Sequence, residues 1–220
     1  MVHCNTCTSD LDAWVKLLGE MAGAAGAALS KQALYELFYK KALEGEADCG
    51  GLTAYNYLSG EPMTGFSTGC PLFVRGSQGR MTLANFMRAH VFSALGALRV
   101  GMDILEGERV ALDSVTGHGG YFKTPGVGQR ALAAALKTPV TVMETAGEGG
   151  PWGMALLAAF SQMRAPGEAL GDFLAKRVFS ASARKTLAPS QEEMEGFAAF
   201  MQRYRRGLAV EAAAVDALGE

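Results

Sequence analysis

Val115-Thr116-Gly117-His118-Gly119-Gly120-Tyr121-Phe122-Lys123 is the stretch whose reading decides the fold. Upstream of it, residues 110–116 are aliphatic enough for a strand; downstream, residues 127–136 form an Ala-rich helical segment. The glycines between them permit positive φ and let a ligand approach the backbone with no Cβ in the way. Residues 139–143 then read as a second strand and residues 151–160 as a second helix, with Pro151 in its first turn. The order strand, helix, strand, helix with short connections means an α/β layer in which strands stack against helices. A Gly-rich strand-to-helix turn also serves simply to reverse the chain, so from these residues alone a nucleotide site and a plain turn stand as equal readings.

Working outward, residues 1–5 read as a short strand that runs into a helix at Ser9-x-x-Asp12, a capping-box pattern, with Leu11, Trp14, Val15, Leu18 and Met21 on one face. The Gly/Ala stretch 22–28 ends that helix, and residues 31–43 predict a second. Residues 52–58 alternate Thr53, Tyr55 and Tyr57 as a strand leaving the Gly50-Gly51 turn, and a loop follows over 59–70. Thr82 is placed to cap one long, central, buried helix with Leu83, Met87, Val91, Ala94, Leu98, Met102 and Leu105 along a face. Ser190-x-x-Glu193 starts a terminal helix that buries Phe197, Phe200, Met201, Tyr204 and Leu208 and is followed by an Ala-rich tail. With no repeat and no linker, residues 1–220 read as one domain.

Composition narrows the function. Apolar residues make up 49% and charged residues 19%, enough to fold as a globule. The formal net charge is −2 with Lys and Arg scattered, so no footprint for a phosphate backbone is present and nucleic acid is not an expected partner. Apolar runs such as residues 154–160 fall far short of the roughly 20 residues that cross a bilayer. The start lacks the basic and apolar regions of a secretory signal, and a cytoplasmic location is expected. Cys4, Cys7, Cys49 and Cys70 read as reduced thiols; Cys4-x-x-Cys7 beside His3 has no second pair to complete a tetrahedral zinc site, and no metal ligands are assigned. Asp10 and Asp12 favour the dipole at a helix start rather than catalysis. His3, His90 and His118 have no partner spacing, and His90 is expected to be a satisfied core or interface histidine.

Two further stretches carry glycines or polar turns. Glu148-Gly149-Gly150-Pro151-Trp152-Gly153-Met154-Ala155-Leu156-Leu157 exposes helix-start amides that would face a ligand, although close packing alone accounts for its glycines. Tyr57-Leu58-Ser59-Gly60-Glu61-Pro62 by itself is an ordinary surface turn.

Taken in order, these stretches resemble the C-terminal domain of the FGGY carbohydrate kinases, the family of xylulokinase, ribulokinase, gluconokinase and glycerol kinase. The family's Leu-Ser-Gly-Glu turn is matched by Leu58, Ser59, Gly60 and Glu61, and the Arg-Ala-His triplet on the next helix by Arg88, Ala89 and His90. Its glycine-rich adenosine turn is matched by Gly117, Gly119 and Gly120, and its Gln, Ala-rich helix and Pro-Val strand by residues 129–142. The Glu-Gly-x-x-x-Gly-x-Ala-Leu-Leu stretch is matched by Glu148, Gly149, Gly153, Ala155, Leu156 and Leu157. Two details depart: the usual Gly-Gly-Gly-Ala-x-Ser turn is replaced by residues 117–124, and the tryptophan common after it is missing.

The resemblance implies an actin-like ATPase, ribonuclease-H-like α/β fold: a mixed sheet flanked by helices, truncated at its N-terminal strands. It implies ATP-dependent phosphoryl transfer to a sugar or polyol hydroxyl, with ATP and Mg2+ as cofactors. The nucleotide-binding residues would be Gly117, His118, Gly119, Gly120, Lys123, Thr124, Gly149 and Gly150, with Lys123 and Thr124 the nearest candidates for the family's polar contact. The family's sugar-binding N-terminal domain, its catalytic aspartate and its Gly-Thr-Ser phosphate turn have no counterpart here. No catalytic residue is therefore assigned, and the chain alone is expected to be inactive. The expected partners are a sugar held by that other domain, a kinase N-terminal half, or a second copy paired through an exposed strand edge; the alternatives are a non-catalytic regulatory relic or one half of a split kinase.

Overall fold

The computed structural model describes residues 2–144, 149–180 and 183–218. The first helix, α1 (Ser9–Ala24), begins without a side-chain cap: Thr8 is its N-cap residue and Ser9 is already helical, so the expected capping box does not form. Residues 2–8 are irregular rather than a strand, because their polar groups bond to the turn after the first strand: Asn5 Nδ2 donates to the Gly60 carbonyl at 2.5 Å. Ser30 caps α2 (Lys31–Ala42) by accepting the Ala33 N–H at 3.2 Å. β1 (Leu52–Tyr55) is buried along its length, and β2 (Leu72–Arg75), which alternation did not reveal, pairs with it antiparallel, Leu52 opposite Arg75.

Thr82 caps α3 (Leu83–Ser93) through its Oγ1 and the Asn85 N–H at 3.1 Å, as the sequence suggests. The single long helix expected here is instead two, since the backbone turns at Ala94 and Leu95 before α4 (Gly96–Gly107). The break sits where Gly96 meets the Tyr204 ring; a Cβ there would lie 2.4 Å from Tyr204 Cζ. β3 (Val115–Gly117) is shorter than expected, residues 110–114 being exposed and irregular. α5 (Val127–Leu136), β4 (Val140–Met143) and α6 (Gly149–Met163) follow. The short α7 (Leu170–Phe173) with its π-helical turn Leu174–Val178, and β5 (Arg184–Leu187), had no sequence signal. α8 (Gln191–Leu218) opens with the predicted capping box, Ser190 Oγ accepting the Glu193 N–H at 3.2 Å and donating to Glu193 Oε2 at 3.0 Å. The Ala-rich tail is helical, part of α8.

The second sheet has the order β3-β4-β5, with β3 and β4 parallel (Val115 opposite Val140) and β4 and β5 antiparallel (Val140 opposite Leu187). β5 exposes Arg184 and Lys185, charges of the kind that protect an edge. β3 offers only Val115, Thr116 and Gly117, and no strand lies on its outer side among the described residues. Gln129, buried on α5, ties this sheet together by donating from Nε2 to the Val140 and Lys185 carbonyls, both at 2.7 Å. α3 is the central buried helix, packed on α2, β1, α5 and α8; Phe92 meets Phe197 and Phe200 of α8 edge-on at 4.9 and 5.5 Å.

α8 also reaches the β1 side through polar groups. Tyr55 Oη donates to the Tyr204 carbonyl at 2.8 Å, and the Tyr57 and Tyr204 hydroxyls share a hydrogen bond to which Thr64 Oγ1 adds a third member. Farther along, Glu211 is fully buried; its Oε1 accepts the Cys70 N–H at 2.8 Å and its Oε2 has no partner. Burial raises the Glu211 carboxyl above its ordinary value, the Cys70 N–H opposing the shift. A carboxyl raised in the folded state stabilises the fold below its unfolded pKa, and that contribution is lost as pH rises through the folded value. Glu211→Gln keeps the acceptor for Cys70 and removes the titration. Its thermal midpoint is therefore expected to match the wild type at acid pH and to exceed it at pH 8; a midpoint below the wild type at pH 8 would contradict this account.

Candidate functional site

Because β3 and β4 are parallel, the turn after β3 and the start of α6 beyond β4 sit at the same edge of the sheet, the carboxyl ends of the strands, where α/β sheets form their ligand crevices. The structure brings the two glycine stretches into contact there: a Cβ on Gly149 would meet His118 Cβ at 3.0 Å and the Gly119 nitrogen at 3.6 Å. Residues 145–148, which include the candidate motif residue Glu148, lie outside the described residues.

The glycines of the bend do different jobs. Gly117 is buried, and the Phe122 ring stands 2.6 Å from where its Cβ would be, so this glycine makes room for packing from beneath. Gly119 has a φ of +100°, which an L side chain rarely adopts, and nothing lies within 4 Å of its Cβ direction. Gly120 and Gly150 likewise face open space. His118 and Lys123 are exposed, and Thr124 is half-buried. The bend is held by Tyr121, whose buried hydroxyl donates to the Val91 carbonyl of α3 at 2.8 Å, and by Gly128, where a Cβ would collide with the Tyr121 carbonyl at 2.3 Å.

Lys123 and Thr124 also line a cavity of about 620 Å³ together with Lys31, Gln32, Tyr35, Glu36 and Pro125. That volume suits a small-molecule ligand, for which pockets run to about 300–1,000 Å³. Its far wall is the first turns of α2, where Lys31 Nζ lies 5.7 Å from the Tyr35 ring centroid and 3.8 Å from Asp12 Oδ1. Sequence reasoning did not reach Lys31 or Tyr35, since nothing in their own segment distinguishes them from an ordinary helix start.

The other candidates are structural. Asp10 is buried and accepts the Trp14 indole N–H at 3.3 Å, and burial raises its carboxyl. His90 stands 3.9 Å from Asp10, enclosed by Phe73, Phe86 and Trp14. The expectation of a satisfied histidine fails: Nε2 is buried with no partner, and burial lowers the pKa to about 4, so the ring stays neutral. Glu61, expected in a surface turn, is fully buried; its carboxylate accepts the Asn5 N–H at 2.8 Å and the Met63 N–H at 3.2 Å, while Leu58, Ser59 and Pro62 of that turn are exposed. Arg88 donates to the Gly45 carbonyl at 3.2 Å and lies over Phe92. The Cys4 thiol is pushed up to about 12, chiefly by burial and then by the Glu61 carboxylate, which disfavours the thiolate that zinc or redox chemistry needs. Among the described residues no group of three His, Cys, Asp or Glu side chains is placed to hold a metal ion, and no helix is long and apolar enough to cross a membrane.

Against known proteins, the chain matches no curated protein. Among solved structures it is similar to the xylulose kinase from Rhodospirillum rubrum, with a TM-score of 0.65 and 20% identity over 98% of this chain and 39% of that one. Gluconate kinase from Lactobacillus acidophilus superposes with a TM-score of 0.58 and 16% identity over 84% of this chain and 36% of that one. Plasmodium falciparum glycerol kinase with ADP does so with a TM-score of 0.56 and 15% identity over 79% and 32%. The fold is thus the actin-like ATPase architecture of these kinases, and the chain spans about two fifths of the length of the xylulose kinase. In sequence, the FGGY family of carbohydrate kinases, C-terminal domain, matches residues 1–162. That match takes in well over half of the chain and every stretch that carries the resemblance, and the chain therefore belongs to the FGGY family of carbohydrate kinases, as its C-terminal domain.

Proposed function

We infer that this chain supplies the nucleotide side of a carbohydrate kinase that transfers the γ-phosphoryl group of ATP to a sugar or polyol hydroxyl. The observation that carries the reading is the open space at Gly119, Gly120 and Gly150, on two turns that meet at the carboxyl edge of parallel strands. Gly119 and Gly120 let the adenosine lie against the backbone, with His118 beside them and Gly117 shaping the bend from below. Lys123 and Thr124 supply polar contacts from the wall of the adjoining cavity. Gly149 and Gly150 present the free amides of the α6 start toward the phosphates, where the helix dipole favours negative charge.

Phosphoryl transfer needs little covalent chemistry from the protein beyond positioning and charge neutralisation. This chain's part is positioning. Magnesium would supply the charge neutralisation when bound; among the described residues no group of three His, Cys, Asp or Glu side chains is placed to hold it. Asp10 is bonded to Trp14 and Asp12 is paired with Lys31, so neither is assigned as the carboxylate that accepts the hydroxyl proton; on this reading that carboxylate and the contacts that select the sugar come from another domain. On this reading the chain binds ATP but phosphorylates no sugar by itself, and activity appears on mixing with a kinase N-terminal half.

Gly120→Val tests the site cleanly, since the position has ordinary φ and open space, so the fold accepts the side chain while the ligand does not. Calorimetric titration of the wild-type chain with ATP is expected to show binding, weakened at least about tenfold in the variant, a loss of 1.4 kcal/mol or more. A flat wild-type titration would instead favour the regulatory-relic alternative, and unchanged affinity in Gly120→Val would remove the bend from the site.

A further inference from the structure

The glycine bend lies between two helix starts. At His118 and Gly119 it meets Gly149 of α6, and at residues 123–125 it forms one wall of the 620 Å³ cavity whose other wall is the first turns of α2. A nucleotide laid along the bend with its phosphates at the α6 amides has its base at the cavity end. That orientation rests on the nucleotide reading given under the proposed function, and the cavity adds the groups that meet the base.

The lining fits a neutral, flat group better than an anion. Of the three ionic side chains that line the cavity, Lys31 stands 3.8 Å from Asp12 Oδ1 and Glu36 accepts the Lys40 ammonium at 2.6 Å, so both are offset by neighbours; Lys123 belongs to the bend itself. The rest of the lining is a ring, an amide, a hydroxyl and a proline. Tyr35 is half-buried and packs beside Tyr39, the ring centroids 6.1 Å apart, which holds its ring in place. The Lys31 ammonium stands 5.7 Å from the Tyr35 centroid, over a face that a planar group could take, and its side chain is 73% exposed and able to withdraw toward Asp12. Gln32, exposed and three residues before Tyr35, lies on the same side of α2. Its amide offers both a donor and an acceptor.

We propose that Tyr35 and Gln32 of α2 read the nucleotide base, Tyr35 by stacking on the purine ring and Gln32 by pairing with its edge, so that the site selects ATP over GTP. An aromatic face accepts any base, because every base has a π-face, and so gives affinity without choice. The amide supplies the choice. Adenine presents a donor at N6 beside an acceptor at N7, which one amide satisfies together, whereas guanine presents two acceptors at O6 and N7, of which an amide satisfies one. Pro125 adds an apolar surface from the side of the bend.

Equilibrium titration of the full chain with ATP, GTP and adenosine tests this. The wild type is expected to bind ATP at least about fivefold tighter than GTP. Tyr35→Leu is expected to weaken ATP and adenosine by the same factor, about tenfold, while Tyr35→Phe keeps the ring and the affinity. Gln32→Ala, at an exposed position that the fold does not need, is expected to bring ATP and GTP within about twofold of each other. Hydrogen exchange supplies a second readout, with adenosine protecting amides in the first turns of α2. Should Tyr35→Leu fail to fold, an unchanged ratio of ATP to GTP affinity in Gln32→Ala overturns the proposal by itself. ATP binding that neither Tyr35→Leu nor Gln32→Ala alters would also overturn it, as would a Lys31→Met variant that loses ATP and keeps adenosine, the result expected if phosphates occupied the cavity; the nucleotide reading would survive each of these. A wild-type chain that binds neither ATP nor adenosine would end both.

Discussion

Glu61→Ala is expected to destabilise the chain by about 3 kcal/mol, because two buried backbone donors lose a charged acceptor and keep their desolvation cost. The two are the N–H groups of Asn5 and Met63, joined by a carboxylate that no solvent reaches. One bond is local and holds the turn Pro62–Thr64; the other spans 56 positions and anchors the segment ahead of α1 to the β1 end. At about 2–4 °C per kcal/mol for a domain of this size, the thermal midpoint should fall by about 6–12 °C. Glu61→Gln keeps one acceptor oxygen and should lose roughly half as much. Hydrogen exchange should show residues ahead of α1 opening first in Glu61→Ala; a midpoint within 2 °C of the wild type, on the scale just used, would show the carboxylate to be incidental.

The second large effect is expected at Gly96. A methyl group there would stand 2.4 Å from Tyr204 Cζ and 2.8 Å from its hydroxyl, and that ring has nowhere to go. Tyr204 is fully buried, its hydroxyl is bonded to Tyr57, and its ring packs at 5.0 Å from Tyr55. Gly96→Ala should therefore cost about 3 kcal/mol, the upper end for overpacking. Tyr204→Leu should also destabilise, through the lost hydroxyl and volume. The double variant should lose clearly less than the sum of the two, because the smaller side chain removes the collision. Additive losses in denaturant melts would mean that the collision with Tyr204 is not what requires glycine at position 96.

These two sites show how the motifs were legible for one reason and important for another. Glu61 and Arg88 stand out in the sequence because they belong to the family's pattern, and Gln129 because it opens the segment that leads to the Pro-Val strand. In the structure each is a hydrogen-bonding device: Glu61 gathers backbone amides, Arg88 reaches the Gly45 carbonyl, and Gln129 bridges β4 and β5. Their order along the chain reports the fold, and the fold in turn places the bend at the carboxyl edge of β3.

The amino-acid sequence alone determined what depends on neighbours in the chain. The α5 segment follows from a continuous helical run behind a glycine, the starts of α3 and α8 from caps that bond three residues ahead, and the glycine bend from residues that accept positive φ. Tertiary structure decided whatever depends on groups far apart in the chain. It broke one expected helix at Gly96 to admit Tyr204, paired β5 with β4 across more than forty residues, and buried Glu61 in a turn whose polarity read as surface. It also brought Lys31 and Tyr35 opposite Lys123, and left α6 half covered. Caps and turns are satisfied within a few residues and leave a local imprint, whereas collision, burial and long-range pairing are properties of distance in space, which the order of residues does not record.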